Sequence, residues 1–173
     1  MIDVFKHIHD LLVSNDYELV LDEVLNFETG RIKAPYSEDL NHAWYIVGDC
    51  YFKLSDYQMA LRAFKNSLRN RKSDYQAMVA IANCHSEMGK PKQAKHYLLK
   101  AILSPEAKAQ ILDAIRYDLG NAYFDMHKYE LAFDEYMKVR KSAPEVYSLA
   151  RKNIELIQSK YKDKTTVRST HKP

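Results

Sequence analysis

Trp44-Tyr45-Ile46-Val47-Gly48-Asp49-Cys50-Tyr51 is the stretch that decides the fold, because its pattern returns twice further along the chain. Trp44-x-x-Val47-Gly48-x-x-Tyr51, followed by Ala60 and Phe64, lines up with Arg116-x-x-Leu119-Gly120-x-x-Tyr123, followed by Ala132, Tyr136 and Pro144. A plainer copy lies between them: Met78-x-x-Ile81-Ala82-x-x-His85, then Ala94, Leu98 and Ala101. Ala60 and Ala94 are 34 residues apart, and Ala94 and Ala132 are 38 apart. Each copy sets small residues (Gly48, Ala82, Gly120 and Ala60, Ala94, Ala132) at a fixed distance from large ones. That is what closely crossing helices require, since a large side chain fills the space that a small one leaves.

A degenerate fourth copy opens the chain. Asn15-Asp16-Tyr17 precedes Val20, Val24 and Phe27 as Ser55-Asp56-Tyr57 precedes Ala60, Phe64 and Ser67. Ile8 then takes the glycine slot and Leu11 the tyrosine slot. The spacing to the next copy is 40, and the extra residues fall around Gly30-Arg31-Ile32-Lys33-Ala34-Pro35, which reads as a loop. Between paired helices the turn favours residues that tolerate positive φ, and Asn15, Ser55, Gly89 and His127 occupy that position. The four residues inserted before the last copy nearly match one helical turn. Ser104-Pro105 reads as an N-cap followed by a first-turn proline, so its first helix is expected to extend at its N-terminus.

The slots W-x2-L-G-x2-Y, A-x3-F and P on a 34-residue period resemble the tetratricopeptide repeat. The resemblance implies an all-α, right-handed α-solenoid in which helix pairs, unable to bury their apolar stripes alone, stack into one core. It divides the chain into a degenerate hairpin (1–34), repeats at 41–74, 75–108 and 109–146, a capping helix at 147–162 and a flexible basic tail at 163–173. Val146, Ala150, Ile154, Ile157 and Tyr161 form the stripe of the capping helix.

Composition agrees with helices. Of 173 residues, 46% are hydrophobic and 28% charged, which excludes a disordered chain. Four glycines and five prolines are too few for a loop-rich β sandwich or a fold built on Gly-rich phosphate loops. The longest apolar run, Ala77–Ala82, is far short of the roughly 20 residues of a membrane span. A cytoplasmic location is expected, because Cys50 and Cys84 form neither a C-x-x-C pair nor a disulfide framework.

Sites of chemistry are scarce. Seven histidines include no H-x-x-x-H pair, His7 and His9 point to different sides of a helix, and His85 occupies an aromatic packing slot. Cys50 and Cys84 fill equivalent slots and read as small core residues. No nucleophile elbow, phosphate loop, zinc-protease or dinucleotide motif is present, so neither an enzyme nor a metal or cofactor is expected.

The expected site follows from the resemblance, in which the first helix of each pair lines a concave groove. Carried over by alignment, the groove residues are His42, Tyr45, Asp49, Phe52 and Lys53, then Gln76, Val79, Asn83, Ser86 and Glu87, then Ala114, Tyr117, Asn121, Phe124 and Asp125. Asn83 and Asn121 are equivalent, and each amide could pair with a ligand's backbone N–H and C=O. Tyr45, Phe52, Tyr117 and Phe124 supply rigid apolar surface. Domains of this family that clamp acidic chaperone C-termini use Lys and Arg where Tyr45, Tyr117 and Asn121 stand here, so a neutral or basic, partly apolar protein segment is the expected ligand.

The function implied is a non-catalytic adaptor or scaffold that binds a protein or peptide. The alternative is a dedicated chaperone for a secreted or assembled client, since the size and the extra N-terminal helices are similar to type III secretion translocator chaperones. Such chaperones often dimerise through those helices, which leaves a homodimer open. The net charge of +3 divides into +6 over residues 140–173 and −3 over the rest. Lys160, Lys162, Lys164, Arg168 and Lys172 could touch nucleic acid or an anionic membrane. No aromatic stacking platform accompanies them, so nucleic acid is not the expected partner.

Overall fold

A computed structural model describes residues 4–169, with side chains described through Lys160. The described residues form nine helices: α1 (Lys6–Val13), α2 (Tyr17–Val24), α3 (Leu40–Lys53), α4 (Tyr57–Asn70), α5 (Tyr75–Glu87), α6 (Pro91–Ile102), α7 (Ala109–Asp125), α8 (Tyr129–Met137) and α9 (Pro144–Ser169). They fall into two compact units, one reaching to Glu106 and one starting at Ala107.

In the first unit the hairpins α1–α2, α3–α4 and α5–α6 share one turn chemistry, and α7–α8 repeats it in the second. Asn15, Ser55, Gly89 and His127 all have φ between 58 and 66°, as expected for their slot. The next residue's N–H returns to a carbonyl five residues back: Asp16 to Leu11, Asp56 to Tyr51, Lys90 to His85 and Lys128 to Tyr123, at 2.8–3.0 Å. This 6→1 bond satisfies a carbonyl left open where the helix ends. Asp39, Asp56 and Asp74 cap α3, α4 and α5 by accepting backbone N–H bonds from His42, Met59 and Gln76/Ala77.

Packing follows a reciprocal size rule. The residue sixteen positions after each small slot lies on the partner helix, giving Gly48/Phe64, Ala82/Leu98, Gly120/Tyr136 and, in the degenerate copy, Ile8/Val24. All eight are buried. A Cβ on Gly48 would lie 2.6 Å from Phe64 Cδ1, and one on Gly120 would meet the Tyr136 ring just as closely. Two buried polar anchors tie helix starts to helix ends. Asn41 donates to Ser67 Oγ (2.8 Å) and Asp74 Oδ2 (3.0 Å) in the first unit. Asp113, 2% exposed, accepts from the Arg140 backbone N–H and guanidinium in the second. That guanidinium holds the Asp113 carboxyl below its ordinary range.

Three expectations are corrected. Ser104-Pro105 does not open α7, which starts at Ala109. The Ser104 hydroxyl instead donates to the Ser73 carbonyl, and Glu106 pairs with Arg71 at 2.7 Å and accepts from Ser73 Oγ, so residues 104–106 are tied back to the loop before α5. The helix is nonetheless longer, at 17 residues against 14 in α3 and 13 in α5. The alignment of Phe27 with Ser67 does not hold in space: Ser67 is buried, but α2 stops at Val24 and Leu25–Asn26 pairs antiparallel with Arg31–Ile32, leaving Phe27 60% exposed. This short ladder is the one β-sheet among the described residues. Finally, α9 starts three residues before the expected 147, with Pro144 at its first turn, and its backbone stays helical to Ser169 rather than giving way at 163. Ala150, Ile154 and Ile157 are buried on its stripe, whereas the Tyr161 side chain lies outside the described ones.

His85 fills its aromatic slot, 7% exposed and stacked on Tyr97 at 5.8 Å, but its Nδ1 has no hydrogen-bond partner. Burial, with Lys65 and Lys90 nearby, pushes its pKa below 6.5. The folded state therefore binds fewer protons than the unfolded one, and this contribution to stability is lost as pH falls through the unfolded value. His85→Tyr, which restores the residue found at Tyr51 and Tyr123, is expected to add about 1 kcal/mol at neutral pH. It should also remove the loss of stability that the buried neutral ring imposes as pH falls below about 6.5.

Candidate functional site

The positions carried over to α3 are spaced as one helical stripe, and so are those on α5. On α3, His42 is already engaged by α1: its ring packs edge-on against Phe5 at 4.6 Å, and its Nε2 lies 3.4 Å from His9 Nε2. Tyr45 is half-buried with its ring 5.3 Å from Phe64, and burial beside Asp49 pushes its phenol up to about 12. Tyr45 therefore covers the close crossing at Gly48 and leaves only part of its surface to a ligand. Burial raises the Asp49 carboxyl, and the Lys53 charge draws it back down. Phe52 stands edge-on to Tyr57 at 5.3 Å, and Lys53 is exposed.

On α5, Gln76, Asn83, Ser86 and Glu87 are exposed and Val79 is half-buried. The Asn83 amide makes no side-chain hydrogen bond among the described residues, so both its donor and its acceptor face solvent.

The second unit treats the equivalent positions differently. Asn121 Oδ1 accepts from Tyr136 Oη (2.7 Å) and from Asn153 Nδ2 (3.2 Å) on α9. Asn153 Nδ2 also donates to Tyr136 Oη at 3.1 Å, closing the triangle. Tyr117 leans on Tyr136 at 5.8 Å, as Tyr45 does on Phe64. Phe124 stands edge-on to Tyr129 at 5.2 Å, the same pair as Phe52/Tyr57, and Lys160 of α9 sits over both rings at 5.1 and 5.4 Å. Ala114 is half-buried and Asp125 is exposed. Asn83 and Asn121 are thus equivalent in sequence but not in environment. Nothing local to Asn121 signals this, because its partner lies 32 residues further on.

Cys50 and Cys84 are fully buried free thiols that burial pushes up to about 12, so they serve as core packing. No group of three or more metal-ligating side chains occurs among the described residues. None of their helices is long and apolar enough to cross a membrane. Of the cations in the basic tail, Lys160 is described and packs on Phe124 and Tyr129. Lys162, Lys164, Arg168 and Lys172 lie outside the described side chains.

Residues 42–74 and 75–108 match the family model of the tetratricopeptide repeat. Residues 42–108 carry two tetratricopeptide repeats. No curated protein matches it significantly by sequence. Solved structures share the fold at low identity. A MamA fragment from Desulfovibrio magneticus RS-1 is 15% identical with a TM-score of 0.68, over 98% of this chain and 96% of that one. A second MamA structure is 15% identical with a TM-score of 0.58, over 96% and 99%. The Sgt2 TPR domain from Aspergillus fumigatus is 18% identical with a TM-score of 0.57, over 81% and 87%. At such identity these similarities establish an all-α fold of tetratricopeptide type. Its repeats are of the kind that mediates protein–protein interaction.

Proposed function

We propose that this chain is a non-catalytic, cytoplasmic protein-binding adaptor, and that the stripes of α3 and α5 in its first unit receive an extended segment of a partner. One observation carries the reading: Asn83 presents an amide with no internal partner, while in the equivalent slot the Asn121 Oδ1 already accepts from Tyr136 of α8 and Asn153 of α9. A side-chain amide free on both sides can satisfy one peptide unit of an extended ligand through paired hydrogen bonds. Phe52 and Val79 supply apolar surface, and Asp49 and Glu87 outnumber Lys53, which favours a neutral or basic segment.

The test is affinity capture with mass spectrometry, followed by titration of the purified partner segment. Asn83→Ala is expected to weaken binding about ten-fold, and Asn83→Ala with Val79→Asp about a hundred-fold, at unchanged helicity. Asn121→Ala is expected to lower the melting temperature with little effect on binding. Undiminished binding by the Asn83/Val79 variant would overturn the reading.

A further inference from the structure

Splitting the chain at Asp56 exposes a charge pattern hidden by the overall count. Residues 1–56 carry eleven Asp/Glu against four Lys/Arg, whereas residues 57–105 carry nine Lys/Arg against two Asp/Glu. The concentration has a structural address. Neither α4 nor α6 contains a single Asp or Glu. Arg62, Lys65 and Arg69 form an exposed stripe on α4, and Lys92 and Lys100 are exposed on α6. The two carboxylates in this region do not neutralise them. Asp74 is buried, capping α5 and accepting from Asn41, and Glu87 lies on the α5 stripe. Glu106, the next along the chain, is held by Arg71 and Ser73.

At one end of this basic surface an open cleft of about 500 Å³ lies beside the loop before α5 and the C-terminal end of α6. Leu68, Met78, Leu103 and Pro105 give it apolar walls, and Lys72 and Lys100 stand at its edge. Leu103 is 82% exposed, so its side chain is open to a ligand in the cleft. Neither lysine has a carboxylate partner among the described residues; Lys100 reaches only the Tyr97 ring, at 5.7 Å. The shape is firm, because the Arg71–Glu106 pair and the Ser104–Ser73 bond fix the segment carrying Leu103 and Pro105.

We propose that this cleft is a second docking site, specific for an acidic protein segment that places an apolar side chain against Leu68, Met78 and Leu103 while flanking carboxylates pair with Lys72 and Lys100. Charge complementarity selects an acidic partner, and the walled apolar space selects a side-chain anchor rather than a bare polyanion. A nucleic acid would engage the cations of α4 and leave the apolar walls unused. The ligand is opposite in charge to the one favoured by α3 and α5, so the first unit can hold two different segments at once.

The experiment uses the full chain and four fluorescent probes: a short peptide with one leucine among aspartates and glutamates, the same peptide with serine for leucine, an oligouridylate, and vesicles containing phosphatidylserine. The leucine peptide is expected to bind, and to weaken several-fold between about 50 and 300 mM salt. It should lose about ten-fold or more in affinity to Lys72→Glu with Lys100→Glu and to Leu103→Ser, each folded by circular dichroism. Lys72→Gln with Lys100→Gln should give an intermediate loss, and Asn83→Ala none, which separates this site from the α3–α5 stripes. Equal binding of the serine peptide would overturn the proposal. So would tighter, Lys72/Lys100-dependent binding of the oligouridylate or vesicles, or an acidic peptide indifferent to the lysine substitutions.

Discussion

Gly48→Leu is expected to lower the melting temperature by about 6–12 °C, the equivalent of about 3 kcal/mol in a chain of this size. The cause is geometric. Even the first carbon of a side chain at Gly48 would stand 2.6 Å from Phe64, well inside van der Waals contact. Phe64 is 2% exposed, is bounded on one side by Tyr45, and has no room to retreat. The equivalent pair Ala82/Leu98 shows how the same crossing is built with the volumes redistributed. Gly48→Ala alone should therefore destabilise, while Gly48→Ala with Phe64→Leu should recover a measurable part of the loss, a favourable coupling of about 0.5–2 kcal/mol in a double-mutant cycle. Thermal melts followed by circular dichroism read both. A Gly48→Leu variant that melts with the wild type would falsify the registration of the repeats.

That registration was legible because its causes are local or periodic. A left-handed residue at Asn15, Ser55, Gly89 and His127, and a large side chain sixteen residues after each small one, are fixed by backbone sterics and helix spacing. What escaped the sequence depends on distant partners. Ser104-Pro105 carries a helix-start signature, but the Ser104 hydroxyl is committed to the Ser73 carbonyl 31 residues away, and the helix waits until Ala109. Phe27 leaves its aligned helical slot because a two-residue ladder ends α2 early. Half of the candidate site was legible in the same sense. The stripes of α3 and α5 follow from periodicity, but the capture of Asn121 by Asn153, of Phe124 by Lys160 and of His42 by Phe5 and His9 does not. Net charge misled by averaging: an acidic first third cancelled a basic middle, and the surface of α4 and α6 disappeared into a small number.

Asp118→Asn is expected to stabilise the protein at neutral pH by an amount of order 2 kcal/mol, and Asp118→Ile by at least as much. Asp118 occupies the slot held by Ile46 and Ala80 in the two preceding repeats, where both are buried. An aspartate there breaks the repeat's own packing rule, and it makes no side-chain hydrogen bond among the described residues. Burial alone pushes its carboxyl up from 3.8 to about 6, and the phenol of Tyr136, raised chiefly by its own burial, is raised a little further by the Asp118 charge. The sign follows from proton binding. Between about pH 4 and pH 6 the folded state holds a proton that the unfolded state has released, so stability falls as pH rises through this interval and stays lower above it. Urea melts at a series of pH values should show the decline in the wild type and its absence in both variants. His85 acts in the opposite direction over a neighbouring range, since its buried neutral ring favours folding as pH rises. The double variant Asp118→Asn with His85→Tyr should therefore have the flattest profile of the set. A wild-type decline that persists in Asp118→Asn would assign it to another carboxyl and refute the role given to this one. A stabilising change in this slot that leaves peptide binding at α3 and α5 intact would mark Asp118 as a cost retained for a purpose other than that site.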